Sequence, residues 1–127
     1  MEQENAIMKK SKAFALRIVK MYKYLCGEKR EYVMSKQVLR SGTSIGANVR
    51  EAIRGQTKPD FIAKMSVAQK EAEETCYWLE LLYESGYLSR NIFESMYRDN
   101  LEINRILASI IITAHQNLKR QLKPKTE

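Results

Sequence analysis

Residues 59–84, PDFIAKMSVAQKEAEETCYWLELLYE, decide the fold class of this chain. Apolar side chains recur in this stretch every three or four residues, which is the spacing of one face of an α-helix. Pro59 suits the first turn of such a helix, and Gly86 follows its end. The predicted inner face consists of Phe61, Met65, Ala68, Ala72, Thr75, Leu79 and Leu82. The stretch therefore predicts a long amphipathic helix.

Three more helices with the same periodicity are predicted, over about 5–25, 35–53 and 89–122. Ser35 is the expected N-cap of the second helix, and Gly27 and Gly55 follow the first and second. Their apolar faces are Ile7, Phe14, Ile18, Met21, Tyr22 and Leu25 in the first, and Val38, Ile45, Val49, Ala52 and Ile53 in the second. The fourth helix presents Phe93, Met96, Tyr97, Leu107, Ile111, Ala114 and Leu118.

The short connections between these helices favour antiparallel neighbours. We therefore expect an all-α, antiparallel up-and-down four-helix bundle that forms a single domain over residues 1–127. No apolar run approaches the ~18 residues that a membrane span needs, and the acidic N-terminus lacks a signal-peptide pattern. These features predict a cytoplasmic protein that does not enter membranes.

Positive charge is concentrated in the first half of the chain. Residues 5–54 carry a net charge of +9, whereas the remainder carries −2. Projected on helical wheels, the cations lie opposite the apolar stripes of the first two helices, and these candidate nucleic-acid-binding residues are Lys9, Lys12, Lys20, Lys23, Lys36, Arg40, Arg50 and Arg54.

Two such helices side by side would form a basic surface suited to a phosphate backbone. A solvated lysine face with no partner is the alternative, although such a face usually mixes signs of charge. An anionic membrane is a less suitable partner, because the apolar faces of both helices are needed for the core.

Gly42 and Gly46 lie in the middle of the second helix, where glycine is unfavourable by about 1 kcal/mol. They predict close approach of another helix, either within the bundle or across a subunit boundary. The fourth helix also has more apolar residues than one seam can bury: Leu101, Ile103, Ile106, Ile110 and Ile112. This surplus favours a homo-oligomer, with Ile103, Ile106 and Ile110 as interface or close-packing residues. A wider bundle core is the alternative.

Catalytic, metal-binding and cofactor-binding patterns are absent from the sequence. Cys26, Cys76 and His115 are too few and too dispersed for a zinc site, and no Glu precedes His115 by three residues. Glu71 is expected to bond a buried polar group or an arginine of a neighbouring helix. The sequence thus predicts a protein that is not an enzyme and has no catalytic residues, metal or cofactor.

Residues 40–52, RSGTSIGANVREA, resemble a signature of the bacterial four-helix-bundle proteins encoded in intervening sequences of large-subunit ribosomal RNA genes. That signature reads approximately R-(S/A)-x-x-S-I-P-x-N-I-A-E-G. The third helix is also similar to that family at Phe61, Lys64, Ala68, Glu71, Glu74, Thr75, Trp78 and Leu79. Gly46 occupies the position where many family members have proline. Residues 50–52 read Arg-Glu-Ala, whereas Ala-Glu-Gly is usual in the family.

The resemblance implies a bundle that assembles into a ring, typically a pentamer, and supplies no catalytic residues. It extends to the accessory proteins of diversity-generating retroelements, which are pentameric and basic and bind nucleic acid and a reverse transcriptase. The leading hypothesis is an oligomeric protein that binds RNA or DNA through the first two helices. The alternative is a scaffold ring for a protein partner such as a reverse transcriptase. Ser44 and Asn48 are expected to bond within the bundle or across a subunit contact, with direct RNA contact as the other possibility.

Overall fold

The computed structural model describes residues 2–122, which form α1 (Glu2–Gly27), α2 (Met34–Ile53), α3 (Lys58–Glu84) and α4 (Arg90–Leu122). Each helix packs against its neighbours in sequence, and α4 closes the bundle against α1. The all-α, antiparallel four-helix bundle is thus confirmed, and the helix ends lie within three residues of the predicted ones. Pro124, which the sequence predicts as the stop of the fourth helix, lies outside the described residues.

Sequence signals account for the ends of α3 and the start of α4. Thr57 is the N-cap of α3, where its Oγ1 accepts a hydrogen bond from the backbone N–H of Asp60 at 3.2 Å. At the other end, Gly86 has φ +89°, and its N–H donates to the Tyr83 carbonyl. This glycine adopts the left-handed conformation that closes a helix at low steric cost. The Ser89 hydroxyl oxygen caps α4 by accepting from the backbone N–H of Ile92.

The prediction that Ser35 caps α2 is wrong, because Glu31 does so. Its carboxylate accepts hydrogen bonds from the backbone N–H groups of Val33 (3.2 Å), Met34 (3.0 Å) and Ser35 (2.7 Å). Ser35 is instead fully buried, and its hydroxyl donates to the Glu31 carbonyl. Burial alone would raise the pKa of Glu31, but the hydrogen bonds from these amides hold that pKa below its ordinary value. A longer side chain placed in the loop therefore replaces the expected serine cap.

The predicted inner faces of α1, α2 and α3 form most of the core. Three predicted members are only half-buried: Tyr22, Ile53 and Phe61. In α3 the neighbouring Ile62 is buried instead of Phe61. Periodicity thus located three of the four buried stripes to within one residue.

The predicted inner face of α4 is confirmed only in part, since Met96, Leu107 and Ala114 are buried and its other members are not. The buried residues of α4 are Met96, Asn100, Ile103, Leu107, Ile110 and Ala114. The predicted Phe93, Tyr97, Ile111 and Leu118 are half-buried at the flanks. The polar residue Asn100 interrupts the buried stripe in the sequence, yet it is 0% exposed. Its Nδ2 donates to the Ala72 carbonyl at 2.8 Å and contacts Cys76 Sγ at 3.0 Å, so much of its polarity is satisfied by α3.

Candidate nucleic-acid interface

Two glycines bring α1 and α2 into close contact. A Cβ placed on Gly42 would lie 2.7 Å from Cγ1 of the buried Ile18. A Cβ on Gly46 would lie 3.4 Å from the Ser11 carbonyl oxygen. The sequence left open whether these glycines pack against a helix within the bundle or across a subunit boundary. In the structure, both glycines pack against α1 of the same chain. Close apposition makes the outer faces of α1 and α2 one continuous surface.

Most of the predicted cations lie on that surface. We call the following residues the basic face, since all are exposed and, within residues 2–122, make no ion pair: Lys9, Lys12, Lys20, Lys23, Lys36, Arg50 and Arg54. The other α1 cations face α4, where Lys10 Nζ pairs with Glu102 at 2.8 Å and Arg17 pairs with Asp99. The charges of α1 are therefore divided between the α4 seam and the outer surface.

A groove runs along the junction of the two helices at one end of the basic face. It has a volume of about 460 Å³, and the long cationic side chains of Lys12, Arg50 and Arg54 line it. A second hollow of about 270 Å³ shares Lys12 and Arg50 and adds Lys9. Small residues leave this space open, among them Ala15 in α1. Several donors thus converge on one concave site from two helices, an arrangement suited to an anion.

One carboxylate borders this groove, and it is engaged elsewhere. Glu51 lines the groove but pairs with Lys64 Nζ of α3 at 3.3 Å. Between residues 5 and 27, α1 contains no acidic residue at all. The basic face consequently has little internal compensation of its charge.

Arg40 was predicted to belong to the basic face, but its guanidinium is bound to α3. Its NH1 donates to Glu71 at 3.2 Å and its NH2 to Glu74 at 2.6 Å. Beside it, Thr75 Oγ1 donates to Ser41 Oγ at 2.9 Å. The expected arginine partner for Glu71 is thus Arg40, and this residue holds α2 against α3. A helical wheel of α2 alone could not reveal this, because the acidic partners are on another element.

Ser44 and Asn48 bond within their own helix. The Ser44 hydroxyl donates to the Arg40 carbonyl at 2.6 Å, and Asn48 Nδ2 donates to the Ser44 carbonyl at 2.8 Å. These bonds follow the back-bonding pattern of short polar side chains in helices. The two polar residues of the family-like motif therefore form hydrogen bonds within α2.

The apolar surplus of α4 is partly absorbed by the core. Ile103 and Ile110 are buried inside the bundle, which leaves them no surface for a partner, and Ile106 is half-buried against the core. Of the two roles predicted for Ile103 and Ile110, interface or close packing, the structure shows close packing, because both side chains belong to the buried stripe of α4. Outside the core, Leu101 is 47% and Ile112 58% exposed. Charged residues interrupt this outer stripe, so the exposed apolar groups are scattered.

Cys26 and Cys76 are free thiols, and burial raises the pKa of Cys76. Across residues 2–122, no His, Cys, Asp and Glu side chains are grouped as a metal site would require. In the same range, no helix has the length and hydropathy to cross a membrane.

Sequence reasoning predicted that the two helices lie side by side but missed the groove at their junction. Treated separately, each helix has a polar face opposite its apolar stripe, and nothing indicates that Lys12 and Arg50 share one groove. The available signal was the pair Gly42 and Gly46, which marks where α1 must lie.

Comparisons with known proteins agree with this architecture. Residues 3–109 match the family described as 23S rRNA-intervening sequence protein. A crystal structure from Bacteroides thetaiotaomicron, described as a protein with unknown function from the S23 ribosomal protein family, is 55% identical to the chain. The alignment covers 86% of this chain and 97% of that one, with a TM-score of 0.85. No curated protein matches.

Proposed function

The chain belongs to the 23S rRNA-intervening sequence protein family, and the similar crystal structure is described as a protein with unknown function, so we propose a function from the chain's own surface. The protein is a non-enzymatic nucleic-acid-binding accessory protein that holds RNA or DNA through the phosphate backbone. Its binding surface is the basic face of α1 and α2. The observation that carries this proposal is the set of exposed, unpaired cations gathered on two apposed helices.

The arrangement of these cations is unfavourable for the isolated protein. Lys9 and Lys12 are three residues apart on α1, and Lys20 and Lys23 repeat that spacing. Like charges at this spacing destabilise a helix by about 0.2–0.5 kcal/mol per pair. A polyanion would remove that repulsion and release its own counterions on binding.

The groove supplies the geometry for phosphate. Arg50 and Arg54 can donate paired hydrogen bonds from planar guanidinium groups, whereas Lys12 contributes a point charge. Backbone contacts of this kind position a protein on nucleic acid without reading its sequence. We therefore propose binding with little base specificity.

The test compares two triple charge reversals with the same change in net charge. Lys12→Glu, Arg50→Glu and Arg54→Glu alter the groove, whereas Lys70→Glu, Arg98→Glu and Lys119→Glu alter exposed cations of α3 and α4. Fluorescence anisotropy with a labelled nucleic acid should show at least a hundredfold loss for the groove variant and less than a tenfold loss for the control. Equal losses in the two variants would contradict the proposed surface.

An adaptor that binds another protein is the second candidate function. The exposed Tyr77 of α3 and Leu101 of α4 favour it, because apolar side chains on an outer surface can contact a partner. A purified protein that elutes free of nucleic acid, with a low 260/280 absorbance ratio, and binds none on addition would favour this candidate.

The homo-oligomer, its pentameric state, a reverse transcriptase partner and the cytoplasmic location all stay predictions. Light scattering on the purified protein tests the first two.

A further inference from the structure

The basic face consists of two separate cation clusters. The first cluster, around the groove, is Lys9 and Lys12 of α1 with Arg50 and Arg54 of α2. The second comprises Lys20, Lys23 and Lys36. The contacts of Gly42 with Ile18 and of Gly46 with Ser11 set an antiparallel register that brings Lys36 near Lys23. Lys36 is six residues before Gly42 on α2. Because the helices are antiparallel, it faces the part of α1 about six residues after Ile18, which is the turn that contains Lys23. Lys20 lies one turn before Lys23 and also lines the hollow between α1 and α4.

Along the described helices, a gap without an unpaired cation separates the clusters, since Arg17 and Arg40 within it are ion-paired. Lys20 is eight positions after Lys12, which is about 12 Å along the helix axis. On α2 the step from Lys36 to Arg50 is about 21 Å, because Arg40 between them is engaged by Glu71 and Glu74. The outer surface of the gap carries the 64% exposed Leu16 of α1.

Such a gap suits two rows of phosphates better than one. In B-form DNA the two backbones border a major groove about 12 Å wide, and A-form RNA has a wide, shallow minor groove. Either duplex can place one phosphate row on each cluster and the phosphate-free groove over the gap. A single strand running from one cluster to the other would leave phosphates over Leu16 without a cation.

The basic face also lacks the aromatic platforms on which single strands are usually bound. Four aromatic residues occur between residues 5 and 54. Phe14 is buried, Tyr22 is half-buried, and Tyr24 lines a hollow between α1 and α4. The exposed Tyr32 lies in the loop before α2, beyond the gap. Because single-strand binding without sequence preference relies on stacking of successive bases, this surface is poorly equipped for it.

From these features we infer that the basic face binds double-stranded nucleic acid, with one cluster on each phosphate row. The inference rests on the proposed function and narrows its ligand to a duplex. Duplex RNA and duplex DNA share the required chemistry, and the two are separate arms of the test.

The experiment measures the affinity of the full chain for labelled duplex DNA, duplex RNA and each of the constituent single strands at one salt concentration. At least one duplex should bind tenfold more tightly than either of its strands. Single strands that bind as tightly as both duplexes would overturn the inference but leave the proposed function standing. No binding to any of these probes would overturn both.

A second variant tests the gap directly. Leu16→Lys adds a cation at an exposed position where a single strand would need one. The salt slope for single strands should then steepen by about 0.7 for the new contact, while the slope for the preferred duplex stays unchanged. Equal steepening for the duplex would show that its phosphates cross the gap, and would overturn the inference. Circular dichroism checks that the variant remains folded.

Discussion

The α1–α2 hairpin and the α3–α4 hairpin are held together by different means. In the first, Gly42 and Gly46 let two backbones approach, and the charged groups stay outside the contact. In the second, polar groups join the helices: Asn100 bonds α3, and the Tyr97 hydroxyl donates to Glu80 at 2.9 Å. That hydrogen bond to Glu80 raises the pKa of Tyr97 to about 12. Polar groups between its helices thus stabilise the second hairpin, whereas the first carries its cations on the exposed outer surface.

The largest loss of stability is expected from a change at Asn100, the buried residue that links α4 to α3 by a hydrogen bond. Asn100→Asp would remove the donor to Ala72 and either bury a charge or require the new carboxyl to take up a proton. We expect a loss of about 3–5 kcal/mol in the free energy of unfolding, measured with urea at neutral pH.

Asn100→Leu is the matched control, because it keeps a similar volume without a charge. It should cost less than about 2 kcal/mol. If the aspartate variant is as stable as the leucine variant, Asn100 is not the polar link between α3 and α4.

The first hairpin should instead be sensitive to small increases in volume. Gly42→Ala places a methyl group against Ile18, which is fully buried and cannot move away freely. We expect a loss of about 1–2 kcal/mol after the gain in helix propensity, detected as a lower Tm.

Gly46→Ala provides the comparison on the same helix. Its new methyl would meet Ser11 at an ordinary contact distance of 3.4 Å. It should therefore be neutral or stabilising by up to about 1 kcal/mol. A larger loss from Gly46→Ala than from Gly42→Ala would contradict the described apposition of the two helices.

Arg40→Ala separates stability from binding. The variant leaves the half-buried Glu71 without its cation, so we expect a loss of about 1 kcal/mol, kept small because Arg40 is itself half-exposed. Affinity for nucleic acid should change less than twofold, in contrast to Arg50→Ala on the same helix. A loss of affinity equal to that of Arg50→Ala would place Arg40 back on the binding surface.

The smallest effect concerns the loop that begins α2. Glu31→Gln should reduce stability by about 1 kcal/mol near neutral pH, because it weakens the acceptor for three backbone amides. The folded-state pKa of Glu31 is lower than its unfolded value, so its contribution is present above the unfolded pKa. It is lost as the pH falls through the folded-state pKa. Thermal unfolding across this range should show the variant and the wild type converging in acid, and a constant difference would contradict this role.

The fold was accessible from sequence because apolar residues dominate the buried stripes of the first three helices. Pro59 at the start of α3 and Gly86 after its end are also local signals. The α4 stripe was misplaced because Asn100 looks like a surface residue until its partners on α3 are known. Residues in contact across the bundle, such as Arg40 with Glu74, depend on helix order and register. Periodicity within one helix carries no information on either.

The central claim is that the basic face binds a phosphate backbone, and the salt dependence of binding tests it most directly. Affinity for the preferred duplex is measured between about 50 and 200 mM salt. If four to six of the seven cations contact phosphate, log K should fall with a slope of about −4 to −5 against log salt. A slope close to zero, or no measurable binding at the lowest salt, would contradict the proposed function.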